Sequence, residues 1–223
     1  MADRQHEVTR IEGFSDAVFG FALTLLVISL GTPNSQSELE LIIRRSVPFA
    51  LTFAMVCYIW WEHNLFFRRY GLQDAWTAFL NSVLLFVVLF YVYPLKFLAT
   101  MLLGHALRLP PADIPQVASG RNVLLLYSTG VVLIFGLFVL LYRHAWSKRA
   151  VLELSLEGQT TLRYKRRAHM ISAGLGVLSI ILALIVSEPQ MWIPGVLYGL
   201  MGPLHGVNGY MAGKAQSRLE GSL

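Results

Sequence analysis

Charge is scarce in this sequence: Asp, Glu, Lys and Arg make up 14% of its 223 residues, against roughly 25% in soluble domains. With 55% hydrophobic residues and a mean hydropathy of +0.56, the chain is too apolar to stay in water and reads as an integral membrane protein. Cysteine is nearly missing. The single Cys57 lies inside an apolar run, which excludes an intramolecular disulfide framework. There is no His-Glu-x-x-His zinc motif, nucleotide-binding loop, nucleophile elbow or pair of catalytic carboxylates. Those absences argue against an enzyme and against a bound metal or cofactor. No Thr-Val-Gly-Tyr-Gly loop is present either, so selectivity by a ring of backbone carbonyls of that type is not on offer. The net charge of +5 does not indicate nucleic acid, because the basic residues gather in loops between apolar runs. The polar segment Met1 to Glu12 lacks a small-residue cleavage site and does not read as a signal peptide.

What is present is a series of long apolar runs, at about 13–31, 47–67, 75–103, 122–143, 169–187 and 190–212. Each approaches the roughly 20 residues needed to cross about 30 Å of hydrocarbon. They predict an all-α, six-helix transmembrane bundle forming one domain with one repeat over residues 1–223. The connection Thr32 to Ser46 holds Thr-Pro-Asn-Ser and then Ser37 to Ile42, a pattern suited to a short interfacial helix. The connection Gly104 to Arg121, with Pro110, Pro111 and Pro115, reads as irregular. Of the 18 Lys and Arg, only Arg44, Arg45, Lys96, Arg108 and Arg121 fall on one side; the remaining 13, Arg4 and Arg10 among them, fall on the other. Both termini are therefore expected in the cytoplasm, with the protein in the cell membrane. Glycines 195, 199, 202, 206, 209 and 213 share one face of the sixth span and predict close packing against another helix, within the subunit or across an assembly. Pro194 and Pro203 are expected to bend that span. Trp146 suits an interfacial belt. The run Arg163 to Arg167 reads as a topology signal, with contact to anionic lipid headgroups as its alternative.

The first span opens with Arg10-x-x-x-Phe14-Ser15-Asp16 and continues Ala17-Val18-Phe19-Gly20-Phe21-Ala22-Leu23-Thr24-Leu25-Leu26. Polar side chains at the edge of a membrane helix are costly and need a reason. At about 100° per residue, Phe14, Phe21, Leu25 and Ile28 make one large apolar stripe. Gly13, Ala17, Gly20 and Thr24 make an adjoining stripe of small residues. Read alone, the large stripe meets lipid or neighbouring helices. This motif resembles the first helix of the family of transmembrane protein 175, the lysosomal potassium channel, and its single-repeat bacterial relatives. The resemblance implies that the first helices of identical subunits line a pore. It further implies a potassium-preferring cation channel, with a hydrophobic constriction made by Phe21, Thr24, Leu25 and Ile28. It implies a homotetramer, since family members with a doubled repeat pair as dimers. Phe21 departs from the isoleucine or leucine usual at that position. Thr24 matches a common family threonine; it either offers its hydroxyl to an ion or bonds back to the preceding turn.

Asp16, His63 and Asn81 lie about 5–10 Å inside the ends of their predicted helices, at one depth. Polar groups in a low-dielectric site must satisfy one another. The resemblance extends to a His near the end of the second helix and an Asn in the third. Arg10, Ser15, Asp16, His63 and Asn81, with Trp60 and the motif's Phe14, are thus expected to form a structural network holding the first helix. The resemblance implies potassium as the permeant ion, and copies of this chain, monovalent cations and membrane lipids as the expected partners. Two alternatives stand beside the channel: a proton-coupled transporter using Asp16 and His63, and a non-conducting membrane scaffold. Glu62-His63 alone is not a zinc motif.

Overall fold

The computed structural model describes residues 8–220; Arg4, counted in the topology argument, lies outside the described residues. In chain order the helices are α1 (Arg10–Ile28), α2 (Gln36–Tyr70), α3 (Ala75–Leu103), α4 (Gly120–Ser147), α5 (Leu156–Ile185), α6 (Trp192–Val196) and α7 (Met201–Glu220). Tight 3-10 turns occupy Pro111–Asp113, Glu188–Gln190 and Leu197–Leu200. The architecture is all-α, as expected. Helices α1 to α5 are long and apolar enough to cross a membrane, and α6, its following turn and α7 occupy the sixth predicted span.

Three elements differ from the sequence reading. The stretch 37–42 is not a separate interfacial helix but the opening of α2, 35 residues long. At 1.5 Å per residue α2 runs about 52 Å, well beyond the hydrocarbon core. Ser35 starts it by accepting from the Glu38 N–H at 3.2 Å. Pro48 sits inside it, buried, and the Thr52 hydroxyl donates to the Pro48 carbonyl at 2.8 Å. Second, α5 begins at Leu156, so Arg163 to Arg167 are helical and not part of a loop. Ser155 caps that start by accepting from the Gly158 N–H at 3.1 Å, and Arg and Lys are good helix formers. Third, the sixth span is broken at Leu197–Leu200. Pro203 brings no N–H to the carbonyl four residues back, and the chain tightens into 3-10 geometry there.

The chain divides into two compact units. The first holds the residues up to Gln73 together with Leu85–Val117; the second holds Asp74–Leu84 and the residues from Ala118 onward.

In the first unit, α1 is started by a capping box. Thr9 Oγ1 accepts from the Glu12 N–H at 3.2 Å, and a Glu12 carboxylate oxygen accepts from the Thr9 N–H at 2.9 Å. Helix α1 packs on α2, with Phe19 edge to face against His63, and it buries Ser15, Phe19, Ala22 and Leu26, spaced four, three and four residues apart. Helix α2 stops at Gly71, whose φ of +57° takes the left-handed conformation that only glycine adopts cheaply.

The second unit is built on the pairing of α4 with α5. Gly176 permits it: a Cβ there would lie 2.8 Å from Val132 Cγ2, 3.2 Å from Val131 Cγ1 and 3.3 Å from the Ser128 carbonyl oxygen. Hydroxyls of the buried Ser128 and Ser179 and the half-buried Tyr198 add a continuous chain. Tyr198 donates to Ser128 at 2.8 Å, Ser128 to Ser179 at 2.9 Å, and Ser179 to the Pro194 carbonyl at 3.1 Å. Gly176→Ala should therefore lower the thermal unfolding temperature in detergent, at a cost of about 1–3 kcal/mol for overpacking. An unchanged unfolding temperature would show that α4 and α5 can separate freely there. The glycines of the sixth span behave differently. A Cβ on Gly199, Gly202, Gly206, Gly209 or Gly213 meets nothing within 4 Å, and one on Gly195 meets only Leu124 at 3.9 Å. Among the described residues, these positions make no close approach within the chain.

Asp74 joins α3 to α4 within this unit. Its carboxylate accepts from the N–H groups of Trp76 and Thr77, both at 3.1 Å, and lies 2.8 Å from His144 Nε2. Burial pushes the Asp74 carboxyl up, but the hydrogen bonds from His144 and Thr77 outweigh it and hold it down at about 2. A depressed carboxylate contributes stability that is fully present above its unfolded value, about 3.9, and is lost as pH falls through about 2. Asp74→Asn should flatten the acid limb of a pH–stability curve between those values. An identical limb in parent and variant would refute the pairing.

Candidate functional site

The site is assembled around α1. Within the chain, one face of this helix is covered and the other is bare. Phe14, Phe21 and Ile28, seven residues apart, are 61%, 57% and 67% exposed. Thr24 is exposed too, while Leu25, at the edge of the stripe, is half-buried. The small-residue stripe beside it is equally open: a Cβ on Gly13 or Gly20 would meet nothing within 4 Å. The Thr24 hydroxyl donates to the Gly20 carbonyl at 2.9 Å, the back-bond that its position favours. Its oxygen retains lone pairs for a cation.

At the N-terminal end of α1, Asp16 Oδ1 accepts from Trp60 Nε1 at 2.8 Å. Ser15 is fully buried, and its hydroxyl donates to the Ile11 carbonyl at 2.8 Å. His63 is buried between aromatic rings, with centroid distances of 5.6 Å to Phe19, edge to face, and 4.5 Å to Phe67. Asp16 and His63 both line a cavity of about 230 Å³, along with Val8, Glu12, Asn64 and Arg68. The first unit thus brings together Asp16, Trp60 and His63. Arg10 is exposed in the first turn of the helix. Asn81 is buried on α3 in the second unit.

The other end of α1 carries an anchor that the sequence reading missed. Lys96, on α3, donates to the Ser29 carbonyl at 2.8 Å and to the Ser29 hydroxyl at 2.7 Å. Ser29 caps α1, so a cation sits at the negative end of the helix dipole and satisfies its last carbonyl. Nearby, Arg45 grips Asp113 with two hydrogen bonds, at 2.6 and 3.2 Å. Lys96, Arg45, Asp113, Ser29, Tyr93 and Thr100 help line a cavity of about 320 Å³. The signal for the Lys96 anchor, a lysine 67 residues after the serine it binds, has no local pattern.

Comparison with known proteins accords with this geometry. The family described as "Endosomal/lysosomal potassium channel TMEM175" matches residues 10–91, which include the α1 motif, Trp60, His63 and Asn81. A potassium channel of Marivirga tractuosa is 37% identical over 97% of this chain and 92% of its own length. A potassium channel of Chamaesiphon minutus is 32% identical over 46% of this chain and 54% of its own. Among solved structures, a crystal structure of a variant of the potassium channel MtTMEM175 superposes with a TM-score of 0.83 at 34% identity, covering 95% of this chain and 96% of that one. A TMEM175 homologue from Chamaesiphon minutus shares the fold, with a TM-score of 0.56 at 23% identity. With its α1 signature, six-span helical path and full-length relatives in agreement, the chain belongs to the TMEM175 family of potassium channels, a membrane protein and not an enzyme.

Proposed function

We propose that this chain is the subunit of a potassium-preferring homotetrameric channel. Four α1 helices ring its pore, and Phe21, Leu25 and Ile28 form an apolar neck. The observation that carries the reading is the bare face of α1: Phe14, Phe21 and Ile28 are exposed while the opposite face is fully packed on its own subunit. One copy of α1 encloses nothing, so a pore needs further copies, and the open small-residue stripe gives neighbouring helices a surface for close approach. An apolar neck conducts only when it wets, and it excludes ions when it is narrow and dry. Trp60 and Asp16, beside the buried His63, hold the inner end of α1 structurally. The termini face the cytoplasm. A proton relay is disfavoured because beyond Asp16 the helix offers only Thr24, bonded to its own turn, and Ser29, engaged by Lys96.

The test is reconstitution into liposomes under a potassium gradient, with sodium-only and proton-only controls. Potassium flux above the sodium control is expected. Proton movement alone would replace the channel by the relay, and silence in every condition would favour the scaffold.

A further inference from the structure

Three guanidinium groups converge on one indole at the turn between α4 and α5. The Arg149 and Arg163 guanidinium carbons each stand 4.8 Å from the Trp146 ring centre, and that of Arg166 stands 5.9 Å away. Arg149 follows the end of α4, whereas Arg163 and Arg166 come from the early turns of α5, so two elements build the cluster. Its geometry is held in part by Arg149 Nη1, which donates to the Trp146 carbonyl at 3.0 Å. Arg149 and Arg163 are exposed; Arg166 and Trp146 are half-buried. Like charges this close repel. The ring face attracts each of them but carries no net charge to cancel them. The ion pairs found among the described residues, Arg45–Asp113 and His144–Asp74, do not involve the cluster.

Planar guanidinium donors with no carboxylate against them suit phosphate, which they bind in a bidentate fork. Trp146 belongs to the last turn of α4, where a membrane helix meets the headgroup layer and tryptophan is favoured. At that depth the abundant phosphates belong to lipids, and juxtamembrane basic clusters gain from anionic ones. We infer that Trp146, Arg149, Arg163 and Arg166 form a binding site for the phosphate of an anionic phospholipid headgroup. The site is independent of the channel reading, since it needs only the membrane and the α4–α5 turn.

The experiment is thermal unfolding of the detergent-purified protein with added phosphatidylglycerol, phosphatidylcholine or inorganic phosphate. Phosphatidylglycerol should stabilise the parent, and the other two should not. Replacing Arg149, Arg163 and Arg166 by alanine should raise the half-saturating phosphatidylglycerol concentration about fivefold per residue removed. Equal concentrations for parent and variant would overturn the site. Stabilisation by inorganic phosphate to the same extent would replace it by a free-anion site. A second readout needs no arginine variant: brominated phosphatidylglycerol should quench tryptophan fluorescence more than brominated phosphatidylcholine. That excess should vanish in Trp146→Phe; an excess that persists places the lipid elsewhere.

Discussion

Replacing Phe21 with alanine should raise the potassium flux of the reconstituted protein about tenfold or more, which corresponds to about 1.4 kcal/mol off the barrier to permeation. In the proposed tetramer the substitution removes four aromatic rings from one level of the neck. The dominant cost of passage there is stripping water from the ion, and a wider ring stays wet more of the time. The fold should tolerate the change. Phe21 is 57% exposed within its own chain, and the buried side of α1 carries Phe19 and Ala22 instead. Truncation opens no cavity in that core, so subunit stability should stay within about 0.5 kcal/mol. Phe21→Leu should fall between parent and alanine. The checks are liposome flux and single-channel conductance, with gel filtration to verify the oligomer. Parent-like flux from an intact Phe21→Ala oligomer would move the neck away from Phe21.

Lys96→Met carries the second large effect. It removes both hydrogen bonds to Ser29, at 2.8 and 2.7 Å, and the cation that faces the end of the α1 dipole. Hydrogen bonds to a charged group contribute about 1.5–3 kcal/mol, and a half-buried lysine screens them from water. The unfolding temperature in detergent should fall accordingly, and the conductance of surviving channels should change because α1 has lost one of its supports. Ser29→Ala keeps the carbonyl acceptor and should cost less. If Lys96→Met melts with the parent and conducts like it, the contact is incidental.

The division of α1 into two faces was legible in the sequence because a helix repeats every 3.6 residues, and any buried face must follow that period. The polar end was read on a different ground: Asp16, His63 and Asn81 were expected at one depth, where buried polar groups need partners. Asp16 is hydrogen-bonded to Trp60, and Asn81 is buried on α3. Glycines show the limit most directly. Six of them on one face of the last span look like a packing seam, yet the glycine at which α4 and α5 come close is Gly176, an inconspicuous position on α5. A glycine's role depends on what lies opposite, which is tertiary information. The same holds for Lys96, whose partner is distant in sequence. The continuity of α2 through 36–48 was hidden because the polar stretch up to Ser46 reads as a connection before the apolar run, whereas the helix runs through it and accommodates Pro48 as an interior residue.

The two anchors of α1 have a mechanical consequence. Asp16 and Ser29 are 13 residues apart, about 20 Å along the axis, and each is tethered to a different helix of the same unit. A rod tethered near both ends has no loose end to swing, so it cannot tilt like a lever to widen its middle. What remains is rotation of the Phe21 and Ile28 side chains, or displacement of the whole unit with its tethers intact. Exposed side chains turn over in picoseconds to nanoseconds, whereas collective movements take microseconds or longer. Side-chain rotation would give a single averaged current with no visible steps, and unit displacement would give discrete dwell times that a patch recording resolves.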